Sequence, residues 1–235
     1  MKYVRKGGPP HDYSAWCQRM RGTANENYGC LQNPEKRSLH QALLREQGWL
    51  CAYTMRRIDK SSSHIEHIKP ESVCRSERIG LDLDYKNLLA CFPLDGMGRK
   101  YRYGAQWKAN WWNDNGAEFV LPLSSSCESR FRFYVDGKIE PVGNHRSAIT
   151  TISVLGLDHA SLTEDRKRVI EEFVYGPTHD DPITPAQAQG AIRTICKANA
   201  AGRFHEFCVA IRDALCDHVR QVRKLAARRR FRGRR

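Results

Sequence analysis

His64-Ile65-Glu66-His67-Ile68-Lys69-Pro70 is the stretch whose reading decides the fold. Apolar and polar residues alternate along it, as in a half-buried strand, and the polar turn Asp59-Lys60-Ser61-Ser62-Ser63 leads into it. On a strand, side chains two apart leave by one face, so His64 and Glu66 can approach one metal ion together while His67 leaves by the other face. His67 reaches the same site only if the chain departs from regular pairing near Pro70, which has no N–H to give to a ladder. Phosphodiester hydrolysis near neutral pH needs an activated water and a cation to stabilise developing charge. A neutral imidazole, with an ordinary pKa of about 6.5, can act as general base, and a carboxylate is a hard oxygen ligand for Mg²⁺ or Mn²⁺. A His pair alone is more often structural; the adjoining Glu66, Pro70 and the later Asn87-Leu88 favour chemistry here.

Upstream, residues 36–48 carry Leu39, Ala42, Leu43 and Leu44 among charges, a helix ending at Gly48. Trp49-Leu50-Cys51-Ala52-Tyr53 then reads as a short strand that forms a hairpin with residues 64–68, closed by Pro70. An arm and a short helix containing Trp16 precede these. Downstream, residues 84–91 read as the lead into a loop and helix. Residues 99–115 mix Tyr101, Tyr103, Trp107, Trp111 and Trp112 with Arg99, Lys100, Arg102 and Lys108. Such a segment can stack on bases and contact phosphates, although aromatics so placed are more often core. Lys69, Arg99, Arg102 and Lys108 are the candidates for nucleic-acid contact.

Residues 119–122 and 131–139 read as strands, the second turning at Asp136-Gly137. Helical patterns follow at 148–155 and 162–173, then from Pro185 or Ala186, and finally over 204–230. In the last, Phe207, Ile211, Leu215 and Val219 form a stripe suited to packing or to a partner rather than to a cofactor.

The chain has 235 residues, 40% hydrophobic, enough for one substantial core. Of its formal charge of +13, nine Lys or Arg and no acid fall in residues 220–235. Such a tail can bind phosphates without sequence preference, or serve as a solvated helix end. No apolar run approaches a membrane span and no secretory signal is evident, so a soluble cytoplasmic protein is expected, with no membrane partner. The nine cysteines contain no Cys-x-x-Cys pair, which argues against both a zinc knuckle and a disulfide framework.

Glu66-His67-Ile68-Lys69-Pro70 resembles the acid-His-Ile-x-Pro signature of HNH nucleases, with Asn87-Leu88 at the position of the family's central Asn. Leu50-Cys51-Ala52-Tyr53, residues 64–67, Asp84-Tyr85-x-Asn87-Leu88-Leu89, Phe131-Arg132-Phe133 with Asp136-Gly137, and Leu162-x-x-Asp165-Arg166 together resemble the PtuB-like HNH proteins of Septu and retron defence systems. The resemblance implies His67 as general base, Glu66 as metal ligand, Asn87 as holder of the loop that orients the base, and His64 as second ligand or orienting group. It also implies a PtuA-like ABC-type ATPase partner and, in retrons, a reverse transcriptase with its multicopy DNA. Two features depart from the family. The zinc knuckles are absent, leaving Cys51 and Cys91 either to pack together, the favoured reading, or to recruit distant ligands, and the terminal His ligand is not evident, so structural zinc is not expected and the metal's third protein ligand is undefined.

The sequence thus predicts an α+β protein with a small ββα-metal core embedded in a largely helical chain: an arm and helix over 1–48, the nuclease core over 49–117, a mixed extension over 118–218 and a basic tail over 219–235. The expected activity is metal-dependent endonucleolytic cleavage of DNA or RNA. The rival is a catalytically degenerate nucleic-acid-binding or regulatory subunit.

Overall fold

In the computed structural model, which describes residues 1–77, 80–97, 101–176 and 182–232, His64–His67 forms the expected strand, β1, but with an unexpected partner. β1 pairs antiparallel with Leu88–Cys91 (β2) in the register His64↔Cys91, Glu66↔Leu89 and His67↔Leu88. The hairpin expected between 49–53 and 64–68 is therefore corrected. Residues 49–53 make one bridge, Leu50 to Arg57, and curl through Cys51 N donating to Arg56 O (2.8 Å) and Met55 N to Cys51 O (2.9 Å). Positive φ at Trp49 (62°) and Met55 (63°) turns this run back before it can extend. Residues 84–91 are likewise not simply a lead into a helix: a single helical turn, Tyr85–Asn87, passes directly into β2. All four residues of β2 are buried, so its sequence shows no alternation to read.

The first α-helix, α1 (His11–Met20), and α2 (Glu35–Glu46) pack beside this hairpin. Gly48 N donates to Arg45 O (3.1 Å) and Trp49 N to Leu44 O (2.9 Å), a Schellman closure with Gly48 at φ 57°. The next residue back, Gln47, then does the work of a third strand. Its amide donates to Ala90 O (2.8 Å) and accepts from Ala90 N (2.7 Å), satisfying the open edge of β2. A helix not read from the sequence, α3 (Glu71–Glu77), starts on the Pro70 carbonyl, which accepts from Val73 N and Cys74 N, both at 3.0 Å. After β2 comes α4 (Ala105–Lys108), completing a ββα unit.

The extension begins with β3 (Phe131–Phe133) and β4 (Ile139–Pro141), paired antiparallel around the expected Asp136-Gly137 turn. Residues 119–122 are not a strand, because their backbone is engaged elsewhere: Val120 N donates to Thr151 Oγ1 (2.8 Å) and Pro122 O accepts from Val4 N (2.9 Å). Four helices follow: α5 (Arg146–Leu155), α6 (Ala160–Tyr175), α7 (Pro185–Thr194, with a Thr184/Gln187 capping box) and α8 (Cys208–Arg232). Phe207, Ile211, Leu215 and Val219 are all buried where α8 meets α6, α7 and β3, so the stripe is a packing face. Beyond Val219, Arg220, Arg223, Lys224 and Arg228 are exposed.

The motif Asp165-Arg166 joins the parts. Buried Arg166 donates to Gly137 O (2.6 Å) and Leu157 O (3.0 Å), while Asp165 pairs with Arg56 in the curled run beside β2. The result is an α+β fold whose ββα unit is held inside a largely helical chain. Among the described residues, no helix is long and apolar enough to cross a membrane.

Candidate active site

The pleat of β1 places His64 and Glu66 on one face, with His64 Nε2 3.6 Å from Glu66 Oε2. The Pro93 carbonyl, just past β2, accepts from His64 Nδ1 (2.5 Å), so Nε2 is the nitrogen turned to the carboxylate. Burial pulls the His64 imidazolium down, but Glu66, the Pro93 carbonyl and Asp95 outweigh it and hold its pKa above the ordinary value. The other oxygen of Glu66 is taken. Lys108, the last residue of α4, has a fully buried side chain whose Nζ lies 2.9 Å from Glu66 Oε1 and 3.3 Å from His67 O.

His67 leaves by the opposite face. Its Nε2 donates to Asp82 O (3.0 Å), and the edge of its ring meets Tyr28 at a centroid distance of 4.5 Å. That bond puts the proton on Nε2 and leaves the lone pair on Nδ1, which has no hydrogen bond among the described residues. Burial dominates its titration and lowers the pKa despite nearby carboxylates, so the imidazole is neutral near neutral pH. Asp82 is itself fixed, its carboxylate accepting from Tyr28 N (2.9 Å).

The strands end at His67 and Leu88; Ile68 N still donates in register to Asn87 O (2.9 Å), and the departure comes at Asn87 N, which donates to Asp84 O (2.8 Å) instead. Asn87 is buried at the base of the connection between β1 and β2. Its Oδ1 accepts from Lys69 N (2.8 Å), and its Nδ2 donates to Lys69 O and Leu81 O, both at 3.0 Å. The connection is thereby closed into a loop whose Asp82 carbonyl faces His67.

The basic residues expected at phosphates divide. Lys69 is buried, its ammonium paired with Glu77, and Lys108 is buried on Glu66, so in the protein alone each ammonium is paired with a carboxylate. Arg102 is exposed and lines a groove of about 570 Å³ with Trp107, Ile149 and His159. Arg99 lies outside the described residues. Of the aromatics, Tyr103 packs on Phe92 and is buried, Trp111 and Trp112 pack against the core, and Trp107 is 50% exposed.

Cys51 and Cys91 lie side by side and fully buried, their thiols hydrogen-bonded, and Cys51 Sγ accepts from Phe92 N (3.4 Å). Burial pushes the Cys91 thiol well up and keeps it protonated. Among the described residues, no group of three or more His, Cys, Asp or Glu comes together that could hold a metal ion. The sequence reading missed Asp82 and Pro93, which act through main-chain carbonyls and so carry no side-chain signal. It also missed Tyr28, whose contact with His67 spans far-separated segments, and Tyr53. The Tyr53 hydroxyl is buried without a hydrogen-bond partner, and burial, then Glu66, Cys91 and Cys51, push its pKa well up.

A ββα unit with an acid-His pair on its first strand and an Asn at the mouth of its second is the core of the HNH nucleases, and that is the class this fold defines. No protein-family profile matches the chain. It is 34% identical over 146 residues, 60% of its own length and 67% of the other's, to a protein of Vibrio cholerae serotype O1 biovar El Tor that carries the name of an HNH endonuclease of retron Vc95. The chain belongs to the HNH endonuclease family.

Proposed function

We propose that this protein is a metal-dependent endonuclease that hydrolyses phosphodiester bonds of DNA or RNA, with His67 as general base and Glu66 and His64 as the protein's metal-holding pair. The observation that carries this reading is the state of His67, neutral by burial and fixed in one tautomer by the Asp82 carbonyl.

The donor set fits a hard divalent ion such as Mg²⁺ or Mn²⁺. Two ligands about 2.1 Å from one ion and at about 90–110° lie roughly 3.0–3.4 Å apart, close to the 3.6 Å between His64 Nε2 and Glu66 Oε2. The Pro93 carbonyl on the far nitrogen is the usual outer-sphere partner of a metal-binding His. Two protein ligands suffice for an ion that keeps waters and takes substrate phosphate oxygens. When bound, the ion supplies Lewis-acid stabilisation of charge on the phosphate and leaving oxygen.

The chain's own groups do the rest. His67 Nδ1 takes the proton of the attacking water, and the resulting imidazolium is held through Nε2–H by the Asp82 carbonyl. Asn87 keeps that carbonyl in place by closing the loop. Exposed Arg102 and the basic end of α8 supply phosphate contacts outside the site.

The likeness to a retron-named protein, with the motif pattern of PtuB-like proteins, supports an effector role in anti-phage defence beside an ABC-type ATPase, with a reverse transcriptase and its multicopy DNA as further partners. Plasmid and RNA cleavage assays with Mg²⁺ or Mn²⁺ test the activity. Wild-type protein should cleave and folded His67→Ala should not; undiminished cleavage by the variant refutes the assignment. A second reading, a non-cleaving nucleic-acid-binding subunit, is favoured by one observation, the capture of Glu66 by Lys108. It predicts binding without cleavage in every metal.

A further inference from the structure

We infer that Lys108 is an internal counter-ion that couples metal loading to substrate: His64 and Glu66 hold a divalent cation well only when a phosphodiester is present to draw the ammonium from Glu66. The inference rests on the metal-nuclease reading and specifies how that site is regulated.

The two oxygens of Glu66 are claimed separately. Lys108 Nζ holds Oε1 at 2.9 Å, while Oε2 faces His64 at 3.6 Å. The ammonium is fully buried, and Glu66 is the one carboxylate within ion-pair distance of it among the described residues. A buried ammonium needs such a partner, since desolvation of an unpaired charge is costly. The pair therefore satisfies itself in the protein alone.

A divalent cation on Oε2 would stand on the order of 5 Å from the ammonium, and even at the dielectric constant of water that repulsion corresponds to about tenfold in affinity. In a drier site it is larger. The cation also draws on the same carboxylate charge that stabilises Lys108. A phosphodiester brings a new negative charge to the site and removes both penalties, because its oxygens can accept from Lys108 as well as bind the ion. Lys108 ends α4, and its flexible aliphatic stem can shift the ammonium without unwinding the helix. An ion held this way is scarce in the idle protein, and the site arms when nucleic acid enters.

The experiment is Mn²⁺ binding by electron paramagnetic resonance at constant ionic strength, with and without a hydrolysis-resistant phosphorothioate oligonucleotide, after subtracting Mn²⁺ bound by the oligonucleotide alone. Wild-type protein should bind Mn²⁺ at least about tenfold more tightly with the oligonucleotide. Lys108→Met should bind it at least about tenfold more tightly than wild type without oligonucleotide, and gain little when it is added. Glu66→Gln should abolish the strong binding in both states. Lys108→Gln serves if the Met variant does not fold, and the wild-type comparison requires no variant. An unchanged or weaker Mn²⁺ affinity in folded Lys108 variants, or no oligonucleotide effect in wild type that binds Mn²⁺ and cleaves, overturns the inference while the metal-nuclease reading stands. Absence of both Mn²⁺ binding and cleavage in wild type overturns it together with the metal-nuclease reading.

Discussion

Asn87→Ala removes three main-chain hydrogen bonds that close the loop between β1 and β2, one accepted from Lys69 N and two donated to Lys69 O and Leu81 O, together with a weaker one donated to Cys74 Sγ (3.6 Å). Each contributes about 0.5–1.5 kcal/mol net, and the partners left behind are largely buried, so the expected loss is about 3 kcal/mol. For a chain of this size that is a fall of roughly 6–12 °C in Tm. Asn87→Asp distinguishes this mechanism from simple loss of packing. It is nearly isosteric and keeps the acceptor for Lys69 N, but it sets a carboxylate against two carbonyl oxygens and should cost about 1–3 kcal/mol more than Ala at neutral pH. Urea titrations of the three proteins measure this, and the Asp deficit should narrow as pH falls toward the ordinary carboxyl range, where the side chain regains a donor. Cleavage should fall by more than the unfolded fraction, because Asp82, whose carbonyl orients His67, sits in the loosened loop. An Asn87→Asp protein more stable than Asn87→Ala, or an Ala variant within about 1 kcal/mol of wild type, would refute the reasoning.

Three further expectations follow from the same structure. Burial, then the charges of His64 and Lys60, pull the His40 pKa down to about 4. The unfolded chain therefore binds more protons at mildly acid pH, and a stabilisation on the order of 2 kcal/mol, present above about pH 6.5, is lost as pH falls toward 4; His40→Gln should flatten that slope in pH-dependent urea melts. Arg56 pairs with Asp165, donates to Tyr103 Oη (2.5 Å) and covers the Phe92 ring at 4.7 Å. A double-mutant cycle of Arg56→Met with Asp165→Asn should give a coupling of about 1 kcal/mol for this partly exposed pair, and zero coupling would mean that the salt bridge does not tie α6 to the core. Gly137 has φ 80°, and a Cβ there would lie 2.2 Å from Thr163 O, so Gly137→Ala should destabilise by roughly 3 kcal/mol or more, checked by calorimetry.

The residues proposed for the site could be named from the sequence, but their structural partners could not. Alternation marked β1, and the two-residue repeat put His64 and Glu66 on one face, because a pleat has no other choice. Gly48, Pro185 and Gly137 marked a helix end, a helix start and a turn through local backbone chemistry alone. The pairing of β1 with Leu88–Cys91 was hidden because a strand buried on both faces has no pattern, and because the curl at Trp49 and Met55 comes from contacts beyond the run itself. The fates of Lys69 and Lys108 were hidden for a related reason. A lysine in a sequence reads as a free cation, and only tertiary structure showed that Glu77 and Glu66 stand within reach and that burial favours those pairings in the protein alone. Sequence thus nominated, through periodicity and residue type, the groups proposed to carry the chemistry. The fold decided which charges are paired in the protein alone, since burial and ion pairing depend on residues far apart in the chain.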